Sequence, residues 1–164
     1  SKEHKINVNI IRPFNNYGPG MNLTDGRLVA DAMKSMVTNE NVNMYSDGKP
    51  TRSFCYITDA IVGYILALNK KAFNVYNIGN DQKEISVHDY LEVCSKVLRQ
   101  KTGRTMQINF QKSDDPDFLT NNPNRRFPDL TRARNDLGYS PLVTIDDVVS
   151  RWYDYEKQKE STAF

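Results

Sequence analysis

The chain is poor in the residues that announce chemistry at first sight. Two cysteines, two histidines and one tryptophan occur among its 164 residues. Cys55 and Cys94 stand far apart, each inside an apolar pattern, and no paired Cys or His spacing of a zinc site is present. Buried free thiols in a reducing compartment are the plain reading, against a disulfide. No apolar run approaches the roughly 20 residues of a membrane-crossing helix. The longest, Ile61 to Leu68, is interrupted by Gly63 and Tyr64. The opening Ser1-Lys2-Glu3-His4-Lys5 is polar and has no signal-peptide pattern. A net charge of +2 leaves no broad basic excess for sequence-blind nucleic-acid binding. Nor does a carboxylate pair, a Ser-His-Asp set or a Cys-His pair stand out for independent catalysis. What remains is 38% apolar and 26% charged residues, the balance of one soluble globular domain.

Ile6 to Ile11 alternates apolar and polar residues and then doubles its apolar end, the pattern of a strand with a buried face. It runs into Arg12-Pro13-Phe14-Asn15-Asn16-Tyr17-Gly18-Pro19-Gly20, a loop of turn formers. Leu28, Val29, Ala32, Met33, Met36 and Val37 recur at helical spacing and predict a helix over 26–38. Val42 to Tyr45 and Ser53 to Ile57 read as short strands around the turn Ser46-Asp47-Gly48-Lys49-Pro50. Thr58 and Asp59 are placed to cap a helix carrying Ala60, Ile61, Tyr64, Ile65 and Leu68 on one face. Phe73 to Ile78 is another strand. Ser86-Val87-His88-Asp89 approximates a capping box ahead of a helix with Val87, Tyr90, Leu91, Cys94, Val97 and Leu98 inward. After a strand at Gln107 to Phe110, residues 112–124 read as a long exposed loop. A short helix from Leu130 to Leu137 stops at Gly138. Thr144 and Asp147 then open a last helix with Ile145, Val148, Val149 and Trp152 inside. The order predicts an α/β fold of short mixed strands and helices.

Five segments in this order carry a resemblance. Arg12 to Pro19 is similar to an Arg-x-Phe-Asn-x-Tyr-Gly-Pro segment, and Asp25-Gly26-Arg27 to the start of a substrate-proximal helix. Tyr45-Ser46-Asp47-Gly48 through Thr51-Arg52-Ser53-Phe54-Cys55-Tyr56 is similar to a Tyr-Gly-x-Gly…Thr-Arg-x-Phe-x-Tyr hairpin, with Ser46 in place of its first glycine. Tyr76-Asn77-Ile78-Gly79-Asn80 and Arg126-Phe127-Pro128-Asp129…Leu137-Gly138-Tyr139-Ser140-Pro141 complete the series. Together they resemble the extended short-chain dehydrogenases that act on nucleotide sugars, NAD-dependent epimerases, dehydratases and decarboxylases. The Asp-Gly-Arg and Thr-Arg-Ser-Phe-Cys-Tyr strings most resemble UDP-glucuronate decarboxylases.

The resemblance implies the C-terminal part of an extended Rossmann-type dehydrogenase. The N-terminal Gly-rich dinucleotide-binding half and the helical Tyr-x-x-x-Lys pair are absent from the sequence. Residues 1–20 would end the Rossmann core, with Lys2 to His4 the stub of the Tyr-Lys helix. Residues 21–164 would form the substrate-binding region, interleaved with a returning strand near 73–79. Two pairs imitate the catalytic spacing. Tyr45 and Lys49 straddle a turn, and Tyr153 and Lys157 lie at the wrong end of the chain, on what reads as a solvated helix end.

The same resemblance implies site residues. Arg52 would bind the substrate diphosphate, for which a planar, permanently charged fork is suited; the alternative is a surface arginine packed on Tyr56. Arg126 would be a further phosphate or ribose contact, with Arg125 a rival. Val29, Ala30, Asp31, Met44 and Tyr45 would line the substrate, although the apolar ones read equally as core. Asn16 would border the nicotinamide, or merely make the turn beside Asn15. Arg27, in the first turn of a helix where a cation is disfavoured, would face a cofactor or substrate phosphate in a cleft shared with Arg52.

The implied function is that of a substrate-binding fragment. Its intact parent would bind NAD and a UDP- or dTDP-sugar, oxidise the sugar at C4 by hydride transfer, and act as a lyase or isomerase. The fragment alone is expected to hold no NAD and to be inactive. A non-catalytic nucleotide-sugar-binding module is the alternative, and a nucleic-acid-binding protein on this scaffold a more distant one. The parent is expected to be a cytoplasmic homodimer without membrane or nucleic-acid partners, and the fragment to self-associate through strand 6–11.

Overall fold

A computed structural model describes residues 3–4, 6–71, 73–111 and 123–162. Lys2 and most of the expected loop, 112–122, lie outside these residues. Nine strands and five helices follow one another among the described residues. β1 (Val8–Pro13) pairs in parallel with β6 (Phe73–Ile78), with Val8 opposite Phe73 and Pro13 opposite Ile78. The other strands are short. β2 (Asn16–Tyr17) runs parallel to β5 (Cys55–Tyr56), and β3 (Val42–Met44) parallel to β8 (Ile108–Phe110). β4 (Thr51–Arg52) lies between β7 (Ile85–Ser86), antiparallel, and β9 (Arg125–Arg126), parallel.

The expected hairpin is therefore a different arrangement. The strands on either side of the 46–50 turn do not pair with each other, because each has a partner distant in sequence. Cys55 and Tyr56 alone of the 53–57 run are strand, and Ile57 already begins a helix. The element at 42–45 ends at Met44.

Helices α1 (Leu28–Thr38), α3 (Val87–Thr102) and α5 (Ile145–Thr162) enclose the larger core. Met33, Met36, Tyr90, Leu91, Cys94, Val148, Val149 and Trp152 meet there with Tyr17 and Tyr56. Tyr17 presents its ring edge-on to Trp152, centroids 5.8 Å apart, and to Tyr90 at 6.4 Å. The capping logic of two helices is as expected. Ser86 Oγ accepts from Asp89 N at 2.9 Å, and Thr144 Oγ1 donates to Asp147 Oδ2 at 2.8 Å. At 145–162 the inward side extends further than expected. Tyr153 is buried, and Trp152 Nε1 donates to a buried Glu156 at 2.9 Å.

A second core joins the β1–β6 pair to α2 (Ile57–Leu68) and α4 (Thr131–Leu137) through Tyr76, Ile78, Leu130, Ala133, Leu137 and Tyr139. Here two expectations are corrected. Thr58 and Asp59 do not cap α2, whose N-cap is Tyr56. Asp59 instead accepts the backbone N–H groups of Leu142 and Val143, both at 3.0 Å, and ties down the loop before α5. The inward side of α2 is also the small one. Ala60, Gly63 and Ala67 are buried, whereas Ile61, Ile65 and Leu68 are exposed.

Candidate functional site

The site grows from three short strands that set arginines side by side. β4 and β9 run parallel, so residues in register point to the same face. Thr51 stands beside Arg125, and Arg52 beside Arg126. The first face is neutralised. Glu84, just before β7, accepts Thr51 Oγ1 at 2.5 Å and takes two bonds from the Arg125 guanidinium, Nε to Oε1 at 2.9 Å and Nη2 to Oε2 at 2.8 Å. Arg125 also stacks over Phe127, 5.0 Å from the ring centroid.

The second face differs among the described residues. There the half-buried Arg52 bonds only the Thr51 carbonyl, Nη1 to O at 2.8 Å. No carboxylate among the described residues forms an ion pair with Arg52 or Arg126. Burial first, and then repulsion from Arg126, pulls the Arg52 pKa below the ordinary arginine value. Two guanidinium groups held adjacent in this way repel each other unless an anion lies between them. The strand's alternation places Arg126, and not Arg125, on the face of Arg52.

A chain of hydrogen bonds leads from this pair to the loop after β1. Ser53 N donates to Arg126 O at 3.3 Å, Asn15 Nδ2 to Ser53 O at 2.7 Å, and Cys55 N to Asn15 O at 3.2 Å. Asn15 holds a left-handed backbone, φ 43°, an unusual position for a side chain other than glycine. Asn16 Nδ2 donates to Tyr64 Oη of α2, and burial raises the Tyr64 pKa. Two buried polar atoms along this path have no hydrogen-bond partner among the described residues, Asn16 Oδ1 and Ser53 Oγ. Such orphans cost free energy unless something outside the chain meets them.

The other sequence candidates are placed elsewhere. Val29 and Ala30 are buried in α1, and Met44 is buried against Gly48, so these three serve the core. Asp31 is half-buried beside them, and burial, then Asp25, raises its pKa. Tyr45 is exposed at the end of β3. Arg27 is corrected: it is the N-cap of α1 rather than part of its first turn. Asp25 accepts its backbone N–H at 3.0 Å and its Nε at 2.6 Å. The anion that its position calls for is Asp25, and no bond or strand register joins Arg27 to Arg52. Ser53, Tyr64 and Glu84 are the site residues that sequence reasoning missed, since their partners lie 33 to 48 residues away. Only the Asn15-Asn16 pair, a turn former at a left-handed position, gave a local signal.

Both cysteines are free and buried. Burial pushes the Cys55 thiol up to about 11 and the Cys94 thiol up to about 12, so neither is a nucleophile at neutral pH. No group of three His, Cys, Asp or Glu side chains among the described residues could hold a metal ion, and no helix among them is long and apolar enough to cross a membrane.

Residues 1–79 match the model of the NAD dependent epimerase/dehydratase family. Nearly the whole chain, 96%, aligns with UDP-glucuronic acid decarboxylase 4 of Arabidopsis thaliana at 30% identity. The family model thus takes in the first 79 residues, and this relative extends the similarity over nearly the whole chain. UDP-glucuronic acid decarboxylase 1 of Xenopus tropicalis is 27% identical over 96% of the chain. Among solved structures, the UDP-glucuronic acid 4-epimerase of Bacillus cereus, in complex with UDP-glucuronic acid and NAD, superposes on 96% of the chain with a TM-score of 0.79 and 30% identity. The UDP-glucose 4-epimerase of Thermotoga maritima, at 23% identity, shares the fold with a TM-score of 0.81. The chain spans 35% of the length of the two decarboxylases and 48% of the length of the Bacillus epimerase chain.

The family name raises the question of NAD. One end of such a cofactor has a chemical match here: Asn16 Oδ1, without a partner among the described residues, can accept from a carboxamide N–H. For the pyrophosphate end, no Gly-x-Gly-x-x-Gly turn occurs in the sequence.

Proposed function

We propose that this chain is the nucleotide-sugar-binding portion of an NAD-dependent UDP-sugar epimerase or decarboxylase, with Arg52 and Arg126 holding the diphosphate. The observation that carries this reading is the in-register Arg52–Arg126 pair, without a carboxylate partner among the described residues while its neighbour Arg125 is neutralised by Glu84. A diphosphate supplies the two negative charges that such a pair lacks, through bidentate bonds. Ser53 and Asn16, further along the same path, supply an orphan hydroxyl and an orphan acceptor for the polar groups of a sugar or of the nicotinamide edge. Residues 1–20 with the returning strand β6 form the end of a dinucleotide-binding core, and residues 21–164 the substrate region. Buried free thiols suit a cytoplasmic setting.

NAD, when bound, accepts the hydride from sugar C4. This chain's own residues bind and orient: the guanidinium pair fixes the diphosphate, and Asn16 bears on the nicotinamide side with its amide held by Tyr64. As a binding portion, the chain by itself is proposed to turn over no substrate.

Calorimetric titration tests the reading. UDP and UDP-glucuronate should bind the chain, UMP more weakly, and Arg52→Ala or Arg126→Ala should each lower UDP affinity about ten- to a hundredfold, as loss of a charge-assisted contact of roughly 1.5–3 kcal/mol requires. Arg27→Ala should leave it unchanged. Equal UDP binding by the wild type and the Arg52→Ala/Arg126→Ala double variant would refute the assignment.

A further inference from the structure

The segment that enters β7 has two sides. Glu84 turns toward the arginines, where it holds Thr51 and Arg125. Lys83 and Ile85, its neighbours in sequence, turn the other way, as alternate side chains of an extended segment do. Both line a cavity of about 320 Å³. Phe54, two residues after Arg52, lines it as well.

The walls are braced from several directions. The buried Asn80 accepts from Gln82 N at 2.8 Å and donates Nδ2 to Val143 O at 3.4 Å, while Gln82 Nε2 donates to Pro141 O at 2.5 Å. These bonds clamp residues 80–82 to the segment leading into α5, whose first residues, Ile145 and Asp146, complete the lining. Phe54 is held by two aromatic rings, its centroid 4.6 Å from that of Tyr90 and 5.9 Å from that of Tyr17. A pocket fixed in this way needs little reorganisation to admit a ligand, and that favours binding.

The lining sets the chemistry of the occupant. Phe54, Ile85 and Ile145 give apolar surface, and the exposed Lys83 gives a cation. The acids near Lys83 in sequence or in the cavity have other partners: Glu84 pairs with Arg125, Asp81 with Arg134, and Asp146 lies 4.0 Å from Lys96. Lys83 itself forms no ion pair among the described residues. A carboxylate therefore finds an uncommitted ammonium there. Asp146, on the same lining, repels a second negative charge. The volume sits at the low end of the roughly 300–1,000 Å³ of ligand pockets, which suits one ring rather than several. We propose that this cavity binds a compact aromatic monocarboxylate, its ring against Phe54, Ile85 and Ile145 and its carboxylate on Lys83. The site is distinct from the Arg52–Arg126 pair and does not rest on the nucleotide-sugar reading.

The experiment titrates the full chain with three probes and follows its backbone amides by NMR. Benzoate carries the ring and one charge, benzamide the same shape without the charge, and phthalate a second charge. Benzoate should bind more tightly than either of the others and shift the amides of residues 54, 83–85 and 145–146. Lys83→Ala should weaken benzoate about fivefold and leave benzamide unchanged. Ile145→Trp, which fills the cavity, should weaken both, with unchanged circular dichroism. The Arg52→Ala/Arg126→Ala double variant should bind benzoate as the wild type does. Absence of shifts at these amides, equal affinity for benzoate and benzamide, or undiminished benzoate binding by Lys83→Ala would overturn the proposal. So would loss of benzoate binding in the arginine double variant, which would place the anion at that pair. UDP affinity is read separately on the same proteins, so failure of this site and failure of the nucleotide-sugar reading are distinguishable.

Discussion

Glu84 sets the charge balance of the site from outside it. By neutralising Arg125 and taking a hydrogen bond from Thr51, it fixes β4 to β9, while the Arg52–Arg126 face has no carboxylate partner among the described residues. The Thr51 bond first, and Arg125 second, hold its carboxyl below the ordinary glutamate value of 4.5. A depressed acid favours the folded state wherever it is ionised, so its contribution is complete above pH 4.5 and fades as the pH falls through the lowered value. Glu84→Gln should therefore lower the melting temperature at pH 7, with the gap between variant and wild type closing toward pH 3. Melting curves across that range decide it. A gap independent of pH would show that the carboxylate charge plays no part. The same substitution should weaken UDP binding, because an Arg125 released from Glu84 no longer holds β9 beside Arg52.

Among the elements, α2 shows how close packing overrides pattern. A Cβ added at Gly63 would lie 2.7 Å from Ile78 Cγ2 and 3.0 Å from Tyr139 Cε2, so helix and sheet approach as closely as a glycine allows. Gly63→Ala gains roughly 1 kcal/mol of helix propensity but overpacks a core at a cost of about 1–3 kcal/mol. A net loss of stability is expected, visible as a lower urea midpoint with an unchanged slope; a higher midpoint would show that the interface yields. The sequence displayed this helix but not its direction. Its periodicity marks Ile61, Ile65 and Leu68 as apolar, yet only the packing shows that Ala60, Gly63 and Ala67 take the inside. The amphipathic helices α3 and α5 were legible because their large residues do face the core. Two-residue strands were not, since pairing between Arg52 and Arg126 or between Asn16 and Cys55 is tertiary and leaves no periodic trace. At the candidate site, motifs single out Arg52, Arg126 and Asn16 in the sequence, whereas Ser53, Tyr64 and Glu84 acquire their contacts only from partners far along the chain.

At the scale of the whole molecule, the two cores are joined through β5. Successive residues of a strand point to opposite sides. Tyr56 enters the larger core, with its ring 6.4 Å from that of Tyr17, while the Cys55 thiol lies 3.7 Å from the Tyr139 hydroxyl of the second core. Tyr139 in turn donates to Gly79 O at 2.8 Å, at the end of β6. Either core can loosen only by disturbing this strand, so the two should unfold together. Cys94 lies inside the first core and Cys55 against the second, which makes the thiols separate reporters. Both are buried with raised pKa values, and neither should react with iodoacetamide at pH 8 in the folded chain. Brief labelling across a urea series, read by mass spectrometry of the two peptides, should give coincident midpoints for Cys55 and Cys94. If Cys55 became reactive at clearly lower urea than Cys94, the β1–β6 core would be opening independently. β5 would then be a hinge between separable units rather than the bond that makes them one cooperative fold.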